Sequence, residues 1–234
     1  MLGTTERDST DLSEGAAARW RKRPRTQASS ERPLYLLTKR FLDVSLSVLA
    51  LIALFPLFAV VALAIKATDG GPILFWQKRV GKDGIEFWFP KFRSMVTDAE
   101  RIRREILHHN HHGDDGVTFK LKNDPRITRV GALIRKFSLD ELPQFWCVLR
   151  GDMSLVGPRP ALPCEVERYT EYERGRLGVI PGLTCFWQVE GRANIPFPEQ
   201  VELDLKYIGE RTLWLDIVLL AKTLPAVVLA RGAY

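Results

Sequence analysis

At 234 residues the chain is long enough for one large domain or two small ones, each with a sizeable core. Its 26% charged and 46% hydrophobic residues exclude a chain that is disordered throughout. The formal net charge of +6 suits phosphorylated substrates, anionic lipid or nucleic acid, and does not choose among them. Cys147, Cys164 and Cys185 are scattered, odd in number and without CxxC spacing, so they read as reduced thiols in a cytosolic domain.

Residues 1–33 are rich in Thr, Ser, Ala, Arg and Glu, with Pro24 and Pro33 and little hydrophobic periodicity. That is the pattern of a disordered basic tail, too polar for a signal peptide. Much of the positive charge sits here, because residues 1–40 hold nine Lys or Arg against five Asp or Glu.

From Val44 to Ile65 run 22 residues without a charge. A straight helix of that length reaches about 33 Å, enough for a bilayer core of about 30 Å. Pro56 removes a backbone donor and crowds the preceding turn, so a bend or break is expected there. The arms on either side are then roughly 18 and 14 Å long, too short to cross alone. Four basic residues flank each side within 20 positions, which gives no bias for one end to leave the cytoplasm. A re-entrant hairpin over residues 34–68 fits best, with a kinked spanning helix as the alternative.

Asp69-Gly70-Gly71-Pro72 is a turn signal, followed by a strand at Ile73–Trp76. Val80–Gly84 is a second turn before a strand at Glu86–Phe89, and Asp98–Leu107 has the spacing of an exposed amphipathic helix. His108, His109, His111 and His112 lack the spacing that converges metal ligands and read as a solvated loop. Ile127–Val130 reads as a short strand, and Gly131–Phe137 leads into a helix carrying Leu142, Phe145, Trp146 and Leu149. Near the end, Trp214–Ala230 is apolar but interrupted by Asp216, Lys222 and Pro225, which suits an amphipathic helix lying on the membrane or the core. The fold class expected is α+β.

Ser138-Leu139-Asp140-Glu141 matches a capping box, in which Ser138 and Glu141 close a helix start and Asp140 complements the dipole. Arg135 lies five residues before Asp140, close enough to share a site across a tight turn. A carboxylate attacking phosphorus needs the phosphate oxygens neutralised by Arg, Lys or Mg²⁺, and an adjacent carboxylate can hold metal or handle a proton. In Gly157-Pro158-Arg159-Pro160 the two prolines stiffen the loop around Arg159. It reads either as a surface loop or as a fork set for a diphosphate or a uracil carbonyl. Lys91-Phe92-Arg93-Ser94-Met95 alternates cations with apolar residues, as on a half-buried edge.

Several segments recur in a familiar order: Lys39-Arg40 with Asp43, the Pro-interrupted apolar segment, Asp69 to Pro72, and Lys91 to Met95. They continue with Asp124-Pro125-Arg126-Ile127-Thr128, Arg135 with Ser138 to Gln144, Gly151 to Pro160, Pro181 to Thr184, and Trp187-Gln188. Over roughly residues 34–234 the chain resembles the bacterial sugar transferase family, the monotopic phosphoglycosyl transferases that begin exopolysaccharide and glycoconjugate assembly. Its length and its Arg231–Tyr234 ending look most like the compact exopolysaccharide-initiating branch.

The resemblance implies a membrane protein of the bacterial inner membrane with a re-entrant helix and a small cytosolic catalytic domain over 69–234. A membrane-surface helix near 213–230 would complete that domain. It implies a UDP-sugar donor, undecaprenyl phosphate as acceptor, Mg²⁺ as cofactor, contact with membrane lipid and no nucleic acid. A homodimer and later glycosyltransferases of the pathway are the protein partners it suggests. The family's Asp-Glu dyad falls on Asp140 and Glu141. Asp140 would form a phosphosugar–enzyme intermediate with release of UMP, and Glu141 would assist with the proton or the metal. Arg135 and Arg159, flanked by Pro158 and Pro160, would bind phosphate and nucleotide with help from Lys91 and Arg93. Cys147 departs from the Asn often found at its position, and cysteine is a poorer hydrogen-bond partner. Two other functions stand beside this one: a non-catalytic nucleotide-binding scaffold, and a one-step glycosyltransferase that releases UDP.

Overall fold

The computed structural model describes residues 33–106, 124–191 and 195–228. The basic tail and the histidine loop lie outside the described residues. What is described is mixed α+β, with one long apolar helix leading into a body of short helices and two small sheets.

Helix α1, Pro33–Asp69, is a single element of 37 residues with Pro56 inside it. The expected break at Pro56 is therefore absent from the helical run. Proline costs one backbone hydrogen bond and crowds one carbonyl, and the turns on either side can carry the helix past that gap. The middle of α1 faces outward, with Leu49, Ile52 and Phe55 all exposed. Both ends are fastened to the body. At the start, Arg40 donates from Nη1 to the Val148 carbonyl and from Nη2 to the Leu149 carbonyl, at 2.5 and 2.7 Å. Asp43 accepts from the Leu155 amide at 3.0 Å. At the other end, Val61 and Ile65 pack against Phe92 and Ile134, and Asp69 forms an ion pair with Arg93.

Strands β1 (Leu74–Val80) and β2 (Glu86–Phe92) form an antiparallel hairpin that extends the expected strands at their C-terminal ends. Its register opposes Gln77 to Phe89 and Arg79 to Phe87. Residues two apart share a face, so Gln77, Arg79, Phe87, Phe89 and Lys91 lie on one side. Phe87 and Phe89 are buried, whereas Trp76 and Trp88 on the opposite side are exposed.

Helix α2 (Ala99–Ile106) follows as expected. The predicted strand at Ile127–Val130 is corrected. Ile127 makes only a single bridge to Met95, Thr128 caps a helix through its side chain, and α3 spans Arg129–Lys136. Thr is a good N-cap, and its bond to the Gly131 amide at 2.8 Å ends the extended backbone there. A Cβ on Gly131 would sit 1.8 Å from the Ser94 carbonyl oxygen, so only glycine lets α3 press onto the chain leaving β2.

The expected helix through Leu142 to Leu149 is divided. Leu139–Gln144 is a 3-10 turn and α4 occupies Phe145–Arg150. Beyond them lie β3 (Ser154–Val156), α5 (Pro163–Glu167), β4 (Gly182–Thr184), α6 (Phe186–Glu190), α7 (Phe197–Glu210) and α8 (Leu213–Val228). Strands β3 and β4 are parallel, and a Cβ on Gly182 would fall 2.0 Å from the Gly157 amide nitrogen. The core gathers Phe87, Phe89, Cys147, Val148, Leu155, Tyr207 and Leu219 from five elements.

Asp216 of α8 is the point where the two ends of the described chain meet. Its Oδ1 accepts from the Tyr207 hydroxyl at 2.7 Å, and its Oδ2 from Lys39 Nζ at 2.9 Å and the Tyr35 hydroxyl at 3.2 Å. Asp216 is buried, so removing the carboxylate strands a cation and two hydroxyls. Asp216→Ala is expected to destabilise the protein by on the order of 3 kcal/mol. Thermal unfolding in detergent measures this, and trypsin should then cut at Lys39 and Arg40, which the intact junction protects.

Candidate active site

The site forms where the inner face of the hairpin meets the 3-10 turn and the Pro158–Pro160 loop. Phe89 is its floor. Lys91 Nζ lies 5.5 Å and the Arg79 guanidinium 5.3 Å from the centre of its ring, within cation–π range.

Above that floor stands Glu141. Its Oε1 accepts from Lys91 Nζ at 2.9 Å and from Arg159 Nη2, and its Oε2 accepts from Arg159 Nη1 at 3.1 Å. Both carboxylate oxygens are thus engaged by a lysine from β2 and a forked arginine from the loop. Burial alone would raise Glu141, but Arg159 and Lys91 hold it well below the usual carboxylate range.

Asp140, one residue earlier, is buried, and among the described residues its carboxylate accepts no hydrogen bond. Burial pushes Asp140 up, to about 6; Lys91 pulls it back and Glu141 adds to the rise. Arg135 and Arg159 also act on it as nearby positive charges. Arg135, in the last turn of α3, bears on Asp124 as well. The two adjacent carboxylates are therefore unlike. Glu141 is locked and ionised, and Asp140 is unbonded and harder to ionise.

The capping box expected from Ser138 and Glu141 does not form. Ser138 has φ 54° and ψ 22°, its side chain makes no cap, and the Glu141 side chain turns to the two cations instead. A charged pair of donors outbids a single backbone amide. The left-handed backbone at Ser138 is a strained conformation for serine, and it turns the chain sharply enough to bring Asp140 and Glu141 back beneath α3.

The loop that carries Arg159 is held by its backbone, because its prolines have no amide to give. Gly157 N donates to the Thr184 carbonyl at 3.0 Å, and the Pro158 carbonyl accepts from Gly182 N at 2.9 Å. The Pro160 carbonyl accepts from Arg79 Nη1 at 3.2 Å. Pro158 and Pro160 are buried and Arg159 is partly exposed.

Of the residues singled out in the sequence, Lys91, Asp140, Glu141 and Arg159 come together, with Arg135 beside them. Arg93 does not join them. It is buried against Asp69 and fixes the turn after α1, where a Cβ on Gly71 would collide with it. Cys147 belongs to the core, its Sγ donating to the Trp88 carbonyl at 3.4 Å, and burial pushes its thiol to about 12. Arg79 was not anticipated. Its sequence signal is the strand alternation that sets it on the same face as Phe89 and Lys91.

Among the described residues no three His, Cys, Asp or Glu converge as a metal cage. The bacterial sugar transferase profile matches residues 34–230. The chain belongs to the bacterial sugar transferase family. It is 47% identical over 200 residues to the galactosyl transferase CpsE of Streptococcus agalactiae, covering 85% of this chain and 44% of that protein. It is 42% identical over 205 residues to the exopolysaccharide production protein ExoY of Sinorhizobium fredii, covering 87% and 91%. Against the undecaprenyl-phosphate galactose phosphotransferase of Salmonella typhimurium it is 45% identical over 204 residues, covering 84% and 41%. The chain thus spans less than half of two of these relatives and nearly all of the third.

The two carboxylates should respond oppositely to neutralisation. Glu141 is held below its unfolded value, so its contribution is present at neutral pH and lost as pH falls through its folded pKa. Glu141→Gln is expected to cost on the order of 1–3 kcal/mol, because Lys91 and Arg159 lose their counter-charge. Asp140 is raised, so its ionised form opposes folding at neutral pH. Asp140→Asn should unfold at pH 7 no lower than wild type. Melting curves of both variants at pH 7 test the contrast.

Proposed function

We propose that this protein transfers a sugar 1-phosphate from a UDP-sugar to undecaprenyl phosphate, releasing UMP, as the first membrane step of exopolysaccharide assembly. The observation that carries the proposal is the asymmetry of the two carboxylates. Asp140 keeps its lone pairs unbonded amid positive charge, as a nucleophile attacking a phosphate requires. The names of three relatives, a galactosyl transferase, an undecaprenyl-phosphate galactose phosphotransferase and an exopolysaccharide production protein, support the donor and carrier chemistry. UDP-galactose is accordingly the first donor to test.

In the proposed reaction an Asp140 carboxylate oxygen attacks the β-phosphorus of the donor. The new bond joins that oxygen to phosphorus, and the bond from phosphorus to the bridging oxygen breaks, so UMP leaves. A phosphate oxygen of the lipid carrier then attacks the same phosphorus, the Asp140–phosphorus bond breaks, and the carboxylate is regenerated. Lys91 and Arg135 offset the charge of the transferred phosphate oxygens through both steps, and Arg159 that of the donor's diphosphate. Lys91 and Arg159 are now tied to Glu141, and the donor's diphosphate competes for them. As they shift to phosphate, Glu141 is freed to hold a proton or a ligand.

Mg²⁺ suits this donor set in its ordinary mode, which takes one or two carboxylates and completes its shell with substrate phosphate and water. Asp140 offers free oxygens for it, and Glu141 offers its own once its cations move. When bound, the ion would supply further neutralisation of diphosphate charge.

The attachment of α1 supports a re-entrant path. The helix is long and apolar enough to cross a membrane, yet both of its ends are tied to the same body. A body on one membrane face cannot hold both ends of a helix that crosses to the other. Exposed Trp214, Ile217 and Leu224 on α8 fit a helix lying on that same surface. We place the body, including residues 69–228, in the cytoplasm where nucleotide sugars are made, and the tail of residues 1–33 on the same side.

Asp140→Asn should abolish turnover in membranes supplied with UDP-galactose and undecaprenyl phosphate. Wild-type turnover should decline as pH falls below about 6, where Asp140 takes up its proton. Nucleotide product analysis tests the chemistry, and UDP in place of UMP would overturn it.

Topology has its own test. Trp20→Cys and Thr68→Cys should both resist an impermeant thiol reagent in intact cells and react after lysis. Labelling of only one of them in intact cells would establish a spanning helix.

A further inference from the structure

Arg79 is the basic residue of the site that neither the sequence motifs nor the proposed chemistry uses. Its guanidinium lies against Phe89, donating from Nη1 to the Pro160 carbonyl at 3.2 Å and from Nη2 to the Gln77 side chain at 3.0 Å. Its Nε is shut off from solvent and has no partner. Among the described residues it forms no ion pair, unlike Lys91 and Arg159, which share Glu141. Burial, and after it the charge of Arg159, lowers it to about 10, with Glu165 and Glu141 opposing from a distance.

A buried guanidinium without a carboxylate is costly to keep. Two features of the site explain why it is kept. The first is mechanical. Pro158 and Pro160 lack amides, so the Arg159 loop can be fixed only through its carbonyls and its flanks. The Pro158 carbonyl is taken by Gly182, and the Pro160 carbonyl, on the other side of Arg159, is taken by Arg79. The second is electrostatic. Glu141 is shared between Lys91 and Arg159, so Arg79 has no carboxylate at ion-pairing distance among the described residues and can take an anion.

We propose that Arg79 is a positioning residue of the donor site. It fixes the Pro160 carbonyl so that Arg159 meets the donor's phosphates, and it supplies a positive charge that no carboxylate among the described residues pairs with. The inference rests on the proposed donor chemistry and assigns Arg79 to the nucleotide-diphosphate half of the reaction, not to the lipid half. Two kinds of substrate are thereby separated. The donor needs Arg79, and the acceptor phosphate does not.

The test uses the full-length protein in detergent or nanodiscs, with Arg79→Gln and Arg79→Lys beside wild type. Donor KM, acceptor KM, kcat, inhibition by UMP and melting temperature are read for each. Losing a charge-assisted contact of this kind corresponds to about ten- to a hundredfold, so Arg79→Gln should raise the donor KM and the UMP inhibition constant by that factor. The acceptor KM should stay as in wild type. Arg79→Lys, which restores charge without the planar fork, should recover part of the donor KM. A purely structural role would lower the melting temperature and leave the donor and acceptor KM in their wild-type ratio, and that result overturns the proposal. If Arg79→Gln does not fold, Arg79→Lys decides: a donor KM raised several-fold supports it, and a wild-type donor KM overturns it. If wild type releases no UMP, the reaction proposal fails instead. Calorimetric binding of UMP then judges Arg79 alone, a weakened affinity in Arg79→Gln supporting the assignment and an unchanged one overturning it.

Discussion

One carboxylate, Glu141, organises the site by holding two cations that arrive from different parts of the chain. Lys91 comes from the end of β2, and Arg159 from a loop whose backbone is fixed to β4 and β1. Their meeting on Glu141 draws the hairpin, the 3-10 turn and the loop together. The same contact leaves Asp140 to itself. Two neighbouring carboxylates in one turn would repel if both were exposed to the same field. Giving Glu141 the cations at bonding distance, and Asp140 only their field, separates their behaviour by position alone.

The second organising constraint is the fastening of α1. A helix with an exposed apolar middle has no reason to stay near a small polar body unless its ends are held. Here each end is held by charge. Lys39 and Arg40 at the start reach Asp216 and two carbonyls of α4, and Asp69 at the finish takes Arg93. The apolar contacts of Val61 and Ile65 with Phe92 and Ile134 add area beside the second anchor. The long apolar helix and the candidate site are thus joined through the strand that carries Lys91, because Phe92 and Arg93 follow it directly.

Much of this was legible in the sequence, and the reasons for the exceptions are specific. The apolar run, the hairpin and α2 were visible because their signals are local, namely length, turn residues and helical period. Asp140, Glu141 and Arg159 stood out as chemical types in a motif-dense stretch. Ser138 reads as a cap because the S-x-x-E pattern is also local, whereas Lys91 and Arg159, which claim Glu141, come from outside the turn. Pro56 reads in the sequence as a bend or a break, and of the two the structure excludes the break, since one lost hydrogen bond does not end 37 residues of helix. Arg79 escaped notice because a single arginine in a strand means nothing until the register shows which face it shares. Arg93 looked equivalent to Lys91, two residues away, yet its partner is a turn residue that α1 delivers.

The Asp216 junction bears on how the protein is made. Lys39 and Asp216 are separated by 177 positions, so the first helix leaves the ribosome long before its anchor exists. At about 5–20 residues per second that interval is roughly 9–35 seconds. Throughout it the apolar middle of α1 must be received by the bilayer or by a targeting factor, because the body cannot yet hold the start of the helix. Entry of α1 into an apolar setting and its docking are therefore successive events in the life of the chain, and α8, made long after α1, is the helix that closes it.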